Sequence, residues 1–303
     1  MKQSDDLKNF SERIKGKIIF DYDLKKTNWF NIGGKAKAYF KPDSLGELSN
    51  FLKIFGMKEK ILVLGAGSNI LINDGLFDGV VIKLGKNFSN ISILPNKTIV
   101  AGSATTDKKL SEFAKHNNIG GLEFLACIPG TVGGGLRMNS GCFNSEFKDI
   151  VLSVQAIDMN GMILTIPSSK INFEYRGNDL AKDLIFLSAS IKGEFKETEK
   201  IEEKTKCLQN RKEKAQPTKI KTGGSTFKNP IKQTDKKVWE LIQKSVPLDT
   251  KFGDAEISKK HSNFFINKNE ASFQDMKRLI EFVKKNVKSK TGITIETEIE
   301  IIE

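Results

Sequence analysis

Short apolar runs alternate with polar, turn-forming segments along the whole chain, the pattern of a protein that mixes helices and strands. Residues 60–64 form a compact apolar run that stops at Gly65-Ala66-Gly67, which predicts a buried strand entering a tight loop. Residues 79–84 read the same way. Residues 91–94 and 98–101 flank Pro95-Asn96 and predict a hairpin. A second hairpin is expected from residues 150–158 and 161–166 around Asn160-Gly161, the strongest short turn signal in the sequence. Asp107 precedes Leu110, Phe113 and Ala114 at helical spacing, which predicts a helix with Asp107 near its cap and Gly120-Gly121 at its end. Residues 185–191 supply a further strand.

Residues 195–214 predict a helix rich in lysine and glutamate and polar over most of its surface. Such a helix often joins domains, which puts a boundary near residues 195–215. After it, Phe273, Met276, Leu279, Ile280, Val283 and Val287 fit one helical stripe. Residues 293–302 then alternate strictly and predict a final strand. One face carries Ile293, Ile295, Ile299 and Ile301, and the other Thr294, Glu296, Glu298 and Glu300.

Length and composition narrow the class. A chain of 303 residues has room for two domains. No apolar stretch approaches the roughly 18 residues of a membrane span, and the first six residues run straight into charges, so neither a membrane anchor nor a secretory leader is expected. Cys127, Cys142 and Cys207 are scattered without CxxC spacing, which points to a reducing compartment, the cytoplasm, and away from a metal site. The net charge is +12, yet the lysines are spread along the chain, often beside acids as in Glu202-Glu203-Lys204. A nucleic-acid footprint is normally clustered, so small anionic ligands fit the charge better than nucleic acid. Only five arginines occur, at 13, 137, 176, 211 and 278, and each merits attention as a bidentate anion contact.

Three segments carry candidate chemistry. The first is glycine-rich and comes in pieces: Gly65 to Asn69, Gly102-Ser103, and Pro129-Gly130-Thr131-Val132-Gly133-Gly134. Glycines let backbone N–H groups approach a diphosphate closely, although each piece alone also reads as a tight turn. None ends as a P-loop does, and Gly65-Ala66-Gly67 lacks the third glycine of the dinucleotide fingerprint. The second is Gly223-Gly224-Ser225-Thr226-Phe227-Lys228-Asn229-Pro230, which exposes a hydroxyl on a sharp turn. Position 227 is not glycine, and nothing local ties His116 or His261 to Ser225, so a proton-donor role suits the serine better than a nucleophilic triad. The third is the row Glu296, Glu298 and Glu300, either a solvated face or one with a carboxylate that enters a cleft and meets a cation such as Arg176.

These motifs occur in one order from about residue 27 to the C-terminus. They run through residues 27–34, 64–71, 121–141, Tyr175-Arg176, 224–230, 261–267 and 295–299. In that series the chain resembles the UDP-N-acetylenolpyruvoylglucosamine reductase family of flavin enzymes. The resemblance implies an α+β fold with an FAD-binding region of the vanillyl-alcohol-oxidase type at residues 20–200, split near 85. A smaller α+β substrate domain follows at 201–303, and its last strand returns Glu298 to the active site. It implies FAD contacts at Gly65, Gly67, Ser68, Asn69, Gly102, Ser103, Pro129, Gly130, Thr131, Gly133 and Gly134.

By the same resemblance, NADPH reduces FAD and leaves, and the UDP-sugar enolpyruvyl ether takes its place, receives a hydride at the vinyl carbon and a proton beside the carboxylate. Catalysis is implied at Arg176, Ser225 and Glu298, and substrate contact at Tyr175, Arg211, Lys228 and Asn229. The activity belongs to peptidoglycan precursor synthesis, and so to cell-wall biogenesis, cell shape and division, carried out by a cytoplasmic monomer. Ala215 stands where some relatives place a lysine, and with only Tyr22, Tyr39 and Tyr175 the chain resembles the shorter subgroup without a tyrosine-bearing insertion. Lys221, Lys228 and Lys259 are then the candidates for the diphosphate, and Cys127 a buried filler. A flavin oxidase of small alcohols and a lysine-rich binding protein are the competing readings, separated from the first by flavin colour and by the substrate consumed.

Overall fold

A computed structural model describes residues 2–218 and 220–303. The chain forms two compact units, one of residues 1–22, 36–66 and 78–210 and one of residues 23–35, 67–77 and 211–303. The linear division expected near residue 200 thus takes a different form: two early stretches, Asp23–Lys35 and Gly67–Phe77, belong to the C-terminal unit. The polar linking helix is present as Thr198–Ala215, and the chain passes from one unit to the other within it, at Asn210. Among the described residues no helix is long and apolar enough to cross a membrane.

In the first unit, the strands Lys17–Asp23, Lys35–Lys41, Phe77–Ile82 and Ile61–Val63 lie side by side in that order. Ile61–Val63 runs parallel to Phe77–Ile82, with Ile61 opposite Val80. The helix Leu45–Phe55 starts at Ser44, whose hydroxyl accepts the Glu47 N–H, and buries Leu48, Phe51, Leu52 and Phe55. These meet Phe40, Val80 and Ile82 in one apolar cluster.

A five-stranded antiparallel sheet of the same unit has the order Ile163–Pro167, Val151–Ile157, Ile185–Ile191, Ile99–Gly102, Ile91–Ile93. Both hairpins read from the sequence are in it: Ile91 faces Ala101, and Ile157 faces Ile163 with Gly161 at φ 75° in the turn. The helix Asp107–His116 differs in detail from expectation. Thr106 is its cap, accepting the Lys109 N–H at 3.2 Å, and Asp107 is already helical and fully buried. The helix ends at Asn117, because Ile119–Gly120 is drawn into pairing with Glu194–Phe195.

In the second unit, the helix Phe273–Thr291 opens on a Ser272–Asp275 capping box and closes at Gly292, φ 74°. Its six expected apolar positions are all buried, packed with Phe227, Leu241, Ile242 and Phe265. A three-stranded sheet, Lys251–Phe252, Ala255–Ile257 and Phe265–Asn267, and the helix Val238–Ser245 complete the frame. The final strand is shorter than its alternation suggests. Only Glu300–Ile302 is regular, parallel to Ile70–Ile72. Upstream the segment pairs instead with the serine loop: Phe227 bridges Thr297, Lys228 N–H donates to Glu296 O at 2.9 Å, and Glu298 N–H to Thr226 O at 2.8 Å. Alternation reports which face is buried, and both arrangements bury Ile295 and Ile299.

The helix stripe makes a direct prediction. Leu279→Ala should lower unfolding stability by about 2–5 kcal/mol, and Glu281→Ala on the exposed face by less than about 0.5 kcal/mol. Denaturant titration of the two variants checks it, and equal losses would contradict the assigned faces.

Candidate active site

The glycine-rich pieces of the first unit meet at bare backbone. Residues 102–107 and 130–133 run against each other through Gly133 N–H to Ser103 O, 2.9 Å, Val132 N–H to Thr105 O, 2.9 Å, and Asp107 N–H to Gly130 O, 3.2 Å. A Cβ on Gly133 would lie 3.1 Å from Ser103 Cβ, and one on Gly65 would lie 2.9 Å from Thr131 Oγ1. Side chains would therefore fill the space that these turns leave open. Thr131 caps the short helix Val132–Met138 through the Gly134 N–H. Pro129 is exposed, and Gly130, Gly134 and Gly102 are half-buried around it. So Gly65, Gly102, Ser103 and residues 129–134 of the expected cofactor set come together. Gly67, Ser68 and Asn69 continue the same loop into the second unit, where Gly67 O accepts the Trp29 N–H at 2.9 Å.

The polar atoms of this cradle suit a diphosphate-bearing group. Ser103 Oγ and Thr105 Oγ1 are buried with no hydrogen-bond partner among the described residues, and so are both carboxyl oxygens of Asp107. Burial raises the Asp107 pKa well above its ordinary value, which favours the neutral acid and weakens the repulsion of a bound anion. Lys83 donates to Gly65 O from the neighbouring strand end, and burial, then the nearby Lys41, lowers its pKa. Lys83 was not singled out in the sequence, and Asp107 was read there only as a helix cap, the usual meaning of a lone acid at a helix start.

Arg176, also in the first unit, occupies the turn between Phe173–Glu174 and Gly177–Asn178 with φ 62°. That left-handed backbone is uncommon for a residue with a long side chain. Its guanidinium lies 4.9 Å from the Tyr175 ring centre, donates to Gly141 O at 3.3 Å and approaches Glu146 at 4.0 Å.

The second unit holds the serine and glutamate motifs. Gly224 turns at φ 80°, Ser225 bridges Phe264, and Thr226 N–H donates to Asn263 O at 2.8 Å. The buried Asn263 clamps the loop from its side chain, accepting Phe227 N–H at 3.0 Å and donating to Phe227 O at 2.9 Å. The bond from Glu298 N–H to Thr226 O sets the glutamate on the chain beside Ser225, and Asn69 Nδ2 donates to Glu298 O at 3.0 Å. Ser225, Asn69 and Glu298 thus lie on three adjoining segments. Glu298 is partly withdrawn from solvent, whereas Glu296 and Glu300 are exposed. Lys228, three residues after the serine, is half-buried, and Arg211 is exposed near the end of its helix. Asn229 Oδ1 accepts the Val238 N–H at 3.0 Å, so this side chain also fastens the start of a helix. His261 contacts Phe264 edge-on at 4.9 Å, and burial lowers its pKa, in keeping with a structural histidine.

Comparison with known proteins agrees with both units. The FAD binding domain family matches residues 36–167. The C-terminal domain of UDP-N-acetylenolpyruvoylglucosamine reductase matches residues 216–302. The reductase of that name from Pelagibacter ubique (strain HTCC1062) is 67% identical over 298 residues, 98% of this chain and 99% of that protein. The one from Rickettsia akari (strain Hartford) is 44% identical over 289 residues, 95% of this chain and 97% of that protein. The crystal structure of UDP-N-acetylenolpyruvylglucosamine reductase from Thermus caldophilus superposes with a TM-score of 0.81 at 26% identity, covering 96% of this chain and all of that one. An α+β protein with this cradle and these relatives is an FAD-dependent oxidoreductase. The chain belongs to the UDP-N-acetylenolpyruvoylglucosamine reductase family, whose reaction serves peptidoglycan synthesis.

The neutral acid in the cradle makes stability depend on pH. Folded Asp107 holds a proton that the unfolded chain releases above about pH 4, so its contribution is complete below that pH and is lost as pH rises toward the folded-state pKa. Asp107→Asn cannot ionise, and its stability relative to the parent should rise as pH increases above about pH 4 until the folded-state pKa is passed. Urea midpoints across that range measure the difference; a constant difference would mean that Asp107 is ionised in the fold.

Proposed function

We propose that the chain reduces the enolpyruvyl group of UDP-N-acetylglucosamine enolpyruvate to UDP-N-acetylmuramate with NADPH as the source of electrons. Identity of 67% over nearly the whole length of a named reductase carries this reading. The pairing of the Ser225 loop with the Glu298 segment supports the assignment of roles. The expected FAD contacts are Gly65, Gly67, Ser68, Asn69, Gly102, Ser103, Pro129, Gly130, Thr131, Gly133 and Gly134. Held by these residues, FAD would supply the two-electron redox chemistry that links NADPH to the enolpyruvyl substrate.

The chain's own groups handle charge, protons and placement. Negative charge builds on the enolpyruvyl carboxylate as the vinyl group is reduced, and the permanently charged guanidinium of Arg176 stabilises it. Ser225 Oγ gives its proton to the carbon that bears the carboxylate. A serine hydroxyl is a weak acid, so its proton must pass to a neighbouring carbanion-like centre as that centre forms, with replacement from water or Lys228. Glu298 completes the acid–base set, and Tyr175, Arg211, Lys228 and Asn229 hold the UDP-sugar. On this reading residues 20–200 serve mainly the cofactor and 201–303 mainly the substrate, and the enzyme works as a monomer in the cytoplasm with no nucleic-acid partner.

Stopped-flow spectroscopy of the flavin separates the two half-reactions. Ser225→Ala should leave reduction by NADPH nearly unchanged and slow reoxidation by the enolpyruvyl substrate by about 10²- to 10⁴-fold. Glu298→Gln should act on the same half-reaction, whereas the solvent-exposed Glu296→Gln should change it by less than about twofold. Equal losses in both half-reactions would remove Ser225 from proton donation, and like behaviour of the two glutamate variants would remove Glu298 from the site.

A further inference from the structure

Arg176 stands in a turn whose backbone strain needs support from elsewhere in the fold. A left-handed conformation at a residue other than glycine is strained and persists only where its surroundings fix it. Arg176 has φ 62°. The support comes from a network that neither the glycine cradle nor the serine loop uses, centred on Asn139 and Glu146.

Asn139 is completely buried and ends the helix Val132–Met138 in a left-handed conformation of its own, φ 41°. Every polar atom of its side chain is used. Nδ2 donates to Glu174 O at 3.0 Å and to Glu146 Oε2 at 3.0 Å, and Oδ1 accepts the Lys148 N–H at 3.0 Å. One amide therefore joins the end of that helix, the segment that follows the hairpin Gly141–Cys142/Ser145–Glu146, and the strand that leads into Tyr175-Arg176. Glu146 extends the connection to the guanidinium. Its carboxylate lies 4.0 Å from Arg176 Nη1, while Gly141 O, in the strand paired with Glu146, accepts from Nη2 at 3.3 Å. Lys148 Nζ lies 2.9 Å from Glu146 Oε2, the oxygen that also accepts from Asn139, and so leaves Oε1 toward Arg176. Both Arg176 and Glu146 are largely withdrawn from water, with side chains 18% and 19% exposed, so their attraction is screened less than that of a surface pair.

We infer that Glu146, seated by Asn139, is a positioning residue that fixes the direction of the Arg176 guanidinium for the reductive step. The inference rests on the catalytic assignment of Arg176. The network sets the guanidinium against one hairpin, hydrogen-bonded to Gly141 O and facing the Glu146 carboxylate at ion-pair distance, and the Tyr175 ring lies beside it. A charge held in place before the reaction needs no reorganisation when charge develops on the substrate. Glu146→Gln keeps an amide oxygen for Asn139 and removes the charge that faces Arg176.

The test is a double-mutant cycle on the FAD-loaded enzyme, read by stopped-flow flavin spectra with NADPH and with UDP-N-acetylglucosamine enolpyruvate in turn. Glu146→Gln should slow flavin reoxidation by the enolpyruvyl substrate by about 10- to 100-fold with substrate KM within about threefold, and leave reduction by NADPH and flavin affinity unchanged. Glu146→Asp should recover part of the rate. Combined with Arg176→Ala, Glu146→Gln should add nothing further, because it acts through the residue already removed. Additive losses, or equal slowing of both half-reactions, would overturn the positioning role while leaving Arg176 in catalysis. An unimpaired Arg176→Ala enzyme would overturn both the inference and the assignment beneath it. Should Glu146→Gln fail to fold, Glu146→Asp carries the cycle alone, and loss shared equally between the half-reactions again refutes the role.

Discussion

The first unit depends on a place where two loops run closer together than side chains allow. Residues 102–107 and 130–133 share three backbone hydrogen bonds there, and a Cβ on Gly130 would lie 2.5 Å from the Asp107 carboxyl. This contact joins the end of the strand Ile99–Gly102 in the five-stranded sheet to the start of the helix Val132–Met138. It also determines what the interior can hold. Ser103, Thr105 and Asp107 turn polar atoms inward without hydrogen-bond partners among the described residues, an arrangement that costs stability unless something else is gained. A cradle made to hold a charged cofactor is such a gain, since the groups that bind a ligand cannot all be satisfied within the fold. The neutral state of Asp107 belongs to the same balance: an ionised carboxylate there would be uncompensated and would repel a diphosphate.

The second unit solves a different problem with the same economy of backbone. Its C-terminal segment could have formed one long strand, yet it changes partners within a few residues, from the serine loop at 226–228 to the strand Ile70–Ile72. Asn69 stands at the change, with its carbonyl accepting Glu300 N–H and its side chain donating to Glu298 O. The switch lets Glu298 lie beside the Ser225 loop while Ile295 and Ile299 remain in the core.

How much of this was legible in the sequence follows from the range over which each interaction acts. Local signals served well. The Asn160-Gly161 turn, the stripe of the helix Phe273–Thr291 and the strand Ile185–Ile191 are set by neighbours a few residues apart, and each appears where periodicity puts it. The family and the FAD-binding fold were legible too, because motifs in a fixed order carry information that no single glycine cluster does. Partners were not. Nothing between residues 23 and 35, or 67 and 77, indicates that these stretches belong with residues 211–303, because the contacts that place them span most of the chain. The last strand shows the limit clearly: alternation gave its faces correctly and said nothing of the partner change at Asn69.

Side chains whose work is to hold other groups are hidden for the same reason. Asn139, Asn263 and Glu146 were not singled out in the sequence, and each proves to be a junction between segments separated in sequence. Asn229 makes the converse point, since a residue expected to face substrate also fastens a helix through its carbonyl oxygen. Residues of this kind transmit rigidity from the core to the groups that do chemistry. A guanidinium on a strained turn can be held still only by partners that are themselves immobile, and Asn139 qualifies because burial and three hydrogen bonds leave its amide no other orientation. The order of dependence therefore runs from the helix Val132–Met138, through the amide at its end, to Glu146 and finally to Arg176. The same short helix begins at the glycine cradle, so one rigid element anchors both the cofactor loops and the charge assigned to the substrate.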